Sequence, residues 1–248
     1  MKVYMDTEKS TVPPKKRKVR SDKGKYQLSP RDLYILDWIA DQYAVRFDQV
    51  RDLLSDHPGG PMRGDLLAVS TTKEKIEKWR KAGWVGYRRW LADGPVWVWL
   101  TAAGLAVLGV EGYSGKPPAV TRLAHIYAVN EVKLIVDWKG WRSERLIKAS
   151  LGPKDDRPIP DAEMTMHDKV DVVALEVEIS IKKPDILVAK MSWLLRHYRA
   201  NYQHVWFYVP NSKVSRAVEA ARGKLRPDEQ AKVEVFLVEL DAMPKGLA

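Results

Sequence analysis

Carboxylates set into otherwise apolar segments offer the most chemistry in this chain. Asp161 follows Pro160 at the start of a short run, residues 160–166, that reads as a strand. Glu176 and Glu178 interrupt the apolar run 170–181, and a period of two puts Glu176, Glu178 and Ser180 on one face of a strand. If the two strands form a hairpin, that face lies beside Asp161. Carboxylates drawn together on a buried sheet repel one another unless a cation neutralises them. Mg2+ or Mn2+, which take hard oxygen ligands, would do so, with Asp161 and Glu176 as the expected metal ligands. An ion held there can polarise a phosphodiester and activate water.

A second group of residues offers binding instead of bond breaking. Residues 71–90 hold seven Lys or Arg against two Glu. On a helix that buries Ile76 and Trp79, residues Glu74, Lys78 and Lys81 fall on the opposite side, flanked by Lys75. Arg88 and Arg89 follow on a hairpin. Residues 1–25 add nine basic residues against three acidic ones, six of the net +10 of the whole chain. This segment lacks apolar periodicity and is expected to be a flexible arm. Its run Pro13-Pro14-Lys15-Lys16-Arg17-Lys18-Val19 is similar to a nuclear localisation signal, but a basic tail that neutralises DNA phosphates is the reading to prefer.

Other chemistries are excluded or disfavoured by composition. With no cysteine in 248 residues, thiol nucleophiles, disulfides and Cys-based metal centres are absent. The five histidines (57, 125, 167, 197, 204) are scattered singly, and His125 and His197 are expected in core or surface positions on helices. No Gly-rich loop ends in Gly-Lys-Ser/Thr, which argues against NTP hydrolysis. Tyr198 and Tyr202, one helical turn apart, are expected to pack in a core. No apolar run approaches the roughly 18 residues of a spanning helix, so the expectation is a soluble, cytoplasmic, nucleoid-associated protein without a membrane partner.

The elements that position these residues divide into two parts. Ser29-Pro30-Arg31-Asp32 opens a helix with a cap, a proline at the first position and an acid at the third, followed by the stripe Leu33, Leu36, Ile39, Ala40 and Tyr43. Phe47, Val50, Leu53 and Leu54 form a second stripe, and residues 57–64 a loop. Thr71 and Glu74 form a possible capping box for a third helix. Residues 84–91 and 96–100 make a hairpin, and Thr101 begins a closing helix. This order is that of a winged helix-turn-helix over residues 26–112, whose third helix and hairpin contact duplex DNA. The tryptophans at 79, 84, 90, 97 and 99 are expected to pack the hairpin onto the helices.

After a linker, residues 113–120, residues 121–248 read as an α/β domain with a central mixed sheet. The expected order is a helix over 121–137, strands over 141–147, 160–166 and 170–181, a helix over 184–201, a strand over 204–209, a helix over 212–223 and a strand over 233–240.

This layout resembles the PD-(D/E)xK nuclease superfamily with its restriction-endonuclease-like fold. More narrowly, the strings Leu123-Ala124-His125, Val129-Asn130-Glu131-Val132, Trp141-Arg142-Ser143-Glu144-Arg145, Ile159-Pro160-Asp161-Ala162 and Leu175-Glu176-Val177-Glu178-Ile179-Ser180 resemble the replication-relaxation family of actinobacterial plasmids, phages and integrative elements. The resemblance implies a DNA-binding protein of a mobile element that nicks duplex DNA through Asp161, Glu176, Glu178 and a lysine. It also implies homo-oligomers or replication and transfer proteins as partners. The sequence departs from the nuclease pattern, because Glu178 stands where the catalytic lysine belongs. Lys182 is four residues beyond Glu178, about 13 Å away if the strand stays extended at roughly 3.3 Å per residue. Lys190, on the next helix, is a second candidate. The alternative is a regulator or replication accessory factor whose nuclease-like part only binds a partner.

Overall fold

The computed structural model describes residues 26–57, 65–111, 113–136, 140–151, 158–165, 171–196 and 202–240. The basic arm with Lys15, Lys16, Arg17 and Lys18 lies outside them, as do Tyr198, His167 and His197. The fold is mixed α+β, with a three-stranded antiparallel sheet and a mixed five-stranded sheet. Among the described residues no helix is long and apolar enough to cross a membrane.

The first part begins with α1 (Pro30–Asp41). Ser29 and Asp32 cap it reciprocally: the Ser29 hydroxyl accepts from the Asp32 amide, and the Asp32 carboxylate accepts from the Ser29 amide at 2.9 Å. Its buried stripe is Ile35, Leu36, Ile39 and Ala40, while Leu33 faces solvent. A two-residue strand β1 (Val45–Arg46), not foreseen from the sequence, leads into α2 (Phe47–Asp56). Helix α3 (Val69–Lys81) starts two residues before the expected cap; Ala68 precedes it without a side-chain cap, and Thr71 and Glu74 lie inside the helix. Ile76 and Trp79 are buried as expected. The hairpin β2 (Val85–Arg89) and β3 (Val96–Leu100) pairs antiparallel, with β1 added on the far side of β3. Thr101 caps the short α4 (Ala102–Val107) through the Gly104 amide.

The second part opens with a 3-10 turn, Val120–Arg122, and α5 (Leu123–Val136). The expected strand over 141–147 is only β4 (Arg142–Ser143); from Glu144 the chain turns into α6 (Glu144–Ser150), because Ser143 accepts from the Leu146 amide as an N-cap. Then follow β5 (Ala162–Thr165), β6 (Val172–Val177), α7 (Pro184–Arg196), β7 (His204–Val209), α8 (Ser212–Arg222), α9 (Pro227–Gln230) and β8 (Val233–Leu237). The sheet order is β4-β5-β6-β7-β8, antiparallel up to β6 and parallel from there on. Alternation along β6 explains the two layers that cover the sheet. Val173, Leu175 and Val177 pack with Ala128, Val129 and Val132 of α5, and Ala174 packs with Leu187, Met191 and Leu194 of α7.

The two parts are joined by a buried interface as well as by the chain. Trp97 of β3 packs with Leu123, Ile126 and Tyr127 of α5 instead of against the helices of its own part. Fully buried Asn130 donates to the Ala44 carbonyl at 2.9 Å and to Gln49 Oε1 at 3.1 Å, and Gln49 donates to Glu131 at 2.6 Å. Lys133 of α5 lies 4.6 Å from the ring centre of Trp38 on α1. The connecting residues 113–118 are docked too: a side chain at Gly115 would come within 2.1 Å of the Ala102 amide nitrogen.

Candidate functional site

In the β5–β6 ladder Ala162 faces Leu175, so the next step brings Asp161 opposite Glu176. Two carboxylates therefore meet at the carboxyl end of β6, where antiparallel and parallel pairing change over. Asp161 Oδ2 accepts from the Val177 amide at 2.8 Å, and Oδ1 is 2.8 Å from His125 Nε2 on α5. On the other side Lys190 of α7 donates to Glu176 Oε2. Glu176 is 3% exposed, and its Oε1 is buried without a hydrogen-bond partner. The expected neutralising cation is thus supplied, in this structure, by the Lys190 ammonium.

The electrostatics follow from burial against neighbours. Burial raises the Glu176 carboxyl above its usual range, Lys190 opposes this, and Asp161 reinforces it. Burial would also raise Asp161, but the His125 imidazole, then Lys190 and the Val177 amide, outweigh it and hold that carboxyl low. His125 and Lys190 are both held above their ordinary values, because the facing carboxylates outweigh their own desolvation. Of the pair, Asp161 is the acid whose charged form its neighbours favour.

Glu178 does not share this cluster as expected. The strand ends at Val177, and although the Glu178 amide still donates to the Tyr208 carbonyl, its carboxylate turns to Lys182 at 2.5 Å and to Ser180. The chain has turned before Lys182, so this lysine serves Glu178, while Lys190 serves Glu176. His125 is the participant that sequence reasoning missed: it was expected to be structural, yet it holds Asp161 from a helix 36 residues upstream. The one mark on it in the sequence is its place in the string Leu123-Ala124-His125.

The donor set fits a hard divalent cation in kind, with two facing carboxylates and one buried acceptor lacking a partner. Among the described residues no three His, Asp or Glu side chains gather closely enough to hold a metal by themselves. Asp161 and Glu176 would then have to share the ion with backbone oxygens or water.

No protein family, curated protein or solved structure matches this chain. Its chemistry has to be read from its own geometry.

The basic residues of the first part divide into two groups. Lys75 turns inward and pairs with Asp32 at 2.9 Å; Asp32 is fully buried and also accepts from the Trp79 indole at 2.8 Å. Lys78 donates to the Gln27 carbonyl, and Lys81 lies 3.9 Å from Glu77. Arg88 and Arg89 are exposed on β2, Arg88 with its guanidinium 5.8 Å from the Trp90 ring centre and Arg89 donating to the Ala92 carbonyl. Trp90 in turn packs on Trp99, with ring centres 5.5 Å apart.

Proposed function

We propose that the chain is a DNA-binding protein whose first part is a winged helix-turn-helix and whose second part is a restriction-endonuclease-like domain that nicks duplex DNA. The observation that carries the second half of this reading is the buried Asp161–Glu176–Lys190 cluster at the end of a mixed sheet. Its two acids and one lysine are the groups a PD-(D/E)xK nuclease needs, with the lysine supplied from α7. A Mg2+ or Mn2+ ion bound between the acids would supply a Lewis acid toward the phosphodiester. Asp161, whose charged form His125 favours, would contribute negative charge toward such an ion. Lys190, held against Glu176, would supply a positive charge toward a phosphate reacting at this cluster.

The first half of the reading rests on element order and on surface charge. Helix, strand, two helices, hairpin and closing helix follow one another as in a winged helix, and α3 and β2 carry Lys81, Arg88 and Arg89 on their outer side. Those cations suit phosphate contacts, which position a duplex without reading its sequence. An origin in a plasmid, phage or integrative element, and oligomeric or replication partners, belong to the same proposal.

The deciding experiment is cleavage of supercoiled DNA carrying the protein's own site. Wild type is expected to nick it with Mn2+ or Mg2+; Asp161→Asn, Glu176→Gln and Lys190→Ala are expected to abolish nicking while duplex affinity stays within about twofold, and Lys182→Ala to leave nicking unaffected. If purified wild type neither cleaves nor binds either ion in calorimetry, the nuclease reading is withdrawn. A regulator whose second part mediates contacts then takes its place.

A further inference from the structure

Between the two parts lies a cavity of about 390 Å3, walled by Tyr43 at the end of α1, by Tyr113, Lys116 and two prolines of the connecting segment, and by Arg145 and Lys148 of α6. Tyr43 is also a wall of the small cleft, about 20 Å3, that opens onto His125 and Asp161. The cavity is therefore one side chain away from the carboxylate cluster without being part of it.

Its charge is one-sided. The lining holds Lys116, Arg145 and Lys148 and no carboxylate. Just behind it lie two acids: Glu144, shared by Arg122 at 2.8 Å and Lys148 at 2.5 Å, and Asp41, close enough to Arg145 to interact with its charge. Among the described residues no carboxylate pairs with Arg145 or Lys116. Arg145 is held rigidly: it donates to the Ala40 carbonyl at 2.7 Å and the Ser114 carbonyl at 3.2 Å, and stacks 3.9 Å over the Tyr113 ring. These carbonyls take two of the five donors of a guanidinium, and its charge is shared with the Tyr43 and Tyr113 rings and with Asp41. Tyr43 is equally fixed, with the guanidinium groups of Arg122 and Arg145 each 4.8 Å from its ring centre. It also adopts a φ of 67°, a left-handed conformation that is costly for a bulky side chain and that recurs at ligand sites.

We propose that this cavity binds a nucleoside phosphate monoester, either as a free nucleotide or as the 5′-phosphorylated end of a DNA strand. Three cations in a lining that itself holds no carboxylate outnumber the two acids behind it and favour a multiply charged anion, and a phosphate monoester is close to a dianion at neutral pH. The tyrosine and proline walls give the remaining volume an apolar lining suited to the sugar and base. The volume falls at the small end of the range for ligand pockets, roughly 300–1,000 Å3, which fits one nucleotide and not a dinucleotide cofactor.

The test titrates the full chain by calorimetry with dAMP, with inorganic phosphate and with a short 5′-phosphorylated oligothymidylate. The same titrations are made on Lys116→Gln with Lys148→Gln, and on Ala149→Trp, which adds bulk at the cavity wall and keeps every charge. Wild type is expected to bind dAMP or the oligothymidylate more tightly than inorganic phosphate, and both variants to weaken that binding about tenfold or more with unchanged melting temperature. Binding of dAMP identifies a free nucleotide as sufficient; binding of the oligothymidylate alone, still sensitive to both variants, identifies the strand. Absence of binding by both organic probes at millimolar concentration, or wild-type affinity in both variants, overturns the proposal. Asp161→Asn is expected to bind the probes as wild type does, so this inference and the nuclease reading fail separately.

Discussion

Lys75 was expected to contact DNA, and the structure gives it a different task whose size can be worked out. Burial alone would raise the Asp32 carboxyl, but Lys75, then the Ser29 amide and hydroxyl and the Trp79 indole, outweigh it and lower the pKa from 3.8 to about 2. A difference of that size is worth about 2 kcal/mol of folding stability. Because the folded pKa lies below the unfolded one, this contribution is complete above about pH 4 and is lost as pH falls through about 2. Lys75→Met removes the first of the favourable partners and leaves a fully buried carboxylate with hydrogen bonds only. Lys75 is one-quarter exposed, so its share is discounted for solvent to about 1–2 kcal/mol. Urea unfolding followed by tryptophan fluorescence should show that deficit at pH 7 and pH 5, shrinking at pH 3 as Asp32 takes up a proton in the variant first. A deficit equally large at pH 3, or no deficit at pH 7 combined with a tenfold loss of duplex affinity, refutes this account and returns Lys75 to the DNA face.

Charge reversal of the exposed pair, Arg88→Glu with Arg89→Glu, should weaken duplex binding and flatten its salt dependence by about two phosphate contacts, measured by fluorescence anisotropy over a salt series. Gly104→Ala should cost about 2 kcal/mol or more in urea unfolding, because the added carbon would stand 2.0 Å from the Trp84 carbonyl oxygen; a neutral result would mean that α4 is free to shift. Asn130→Leu strips the Ala44 carbonyl and Gln49 of a buried donor and should destabilise the chain by about 1–3 kcal/mol, with both parts melting together in calorimetry.

Local signals were legible in the sequence and long-range ones were not. The Ser29–Asp32 box reads directly from residue types because all its hydrogen bonds close within one turn. The β2–β3 hairpin, the strand over 204–209 and the helix starting at Ser212 were equally plain, since periodicity and turn residues lie side by side. The Ser143-Glu144 cap was overlooked because the apolar residues after Trp141 suited a strand as well as a helix. Strand β1 has two residues and gains its partner only once β3 is in place, so no pattern of its own announces it. The facing of Asp161 and Glu176 was accessible through the hairpin argument. The identity of their neutralising partners was not, because His125 and Lys190 arrive from helices on other parts of the chain. Glu178 was grouped with Glu176 by alternation, and alternation stops informing where the strand stops.

The packed junction between the two parts has a geometric consequence. On the proposed reading, a recognition helix and a reacting centre joined by a loose tether would sample many separations, and any cut would scatter along the duplex. Here Asn130, Gln49, Arg145 and Trp97 pin one part to the other, so the span from α3 to Asp161 is a constant of the molecule. On a helical polymer a constant span also selects an angular phase, which makes such a protein a ruler graduated in base pairs. If the proposed function holds, inserting half a helical turn between the recognised sequence and the nicked bond would rotate the target to the far side of the duplex, out of reach.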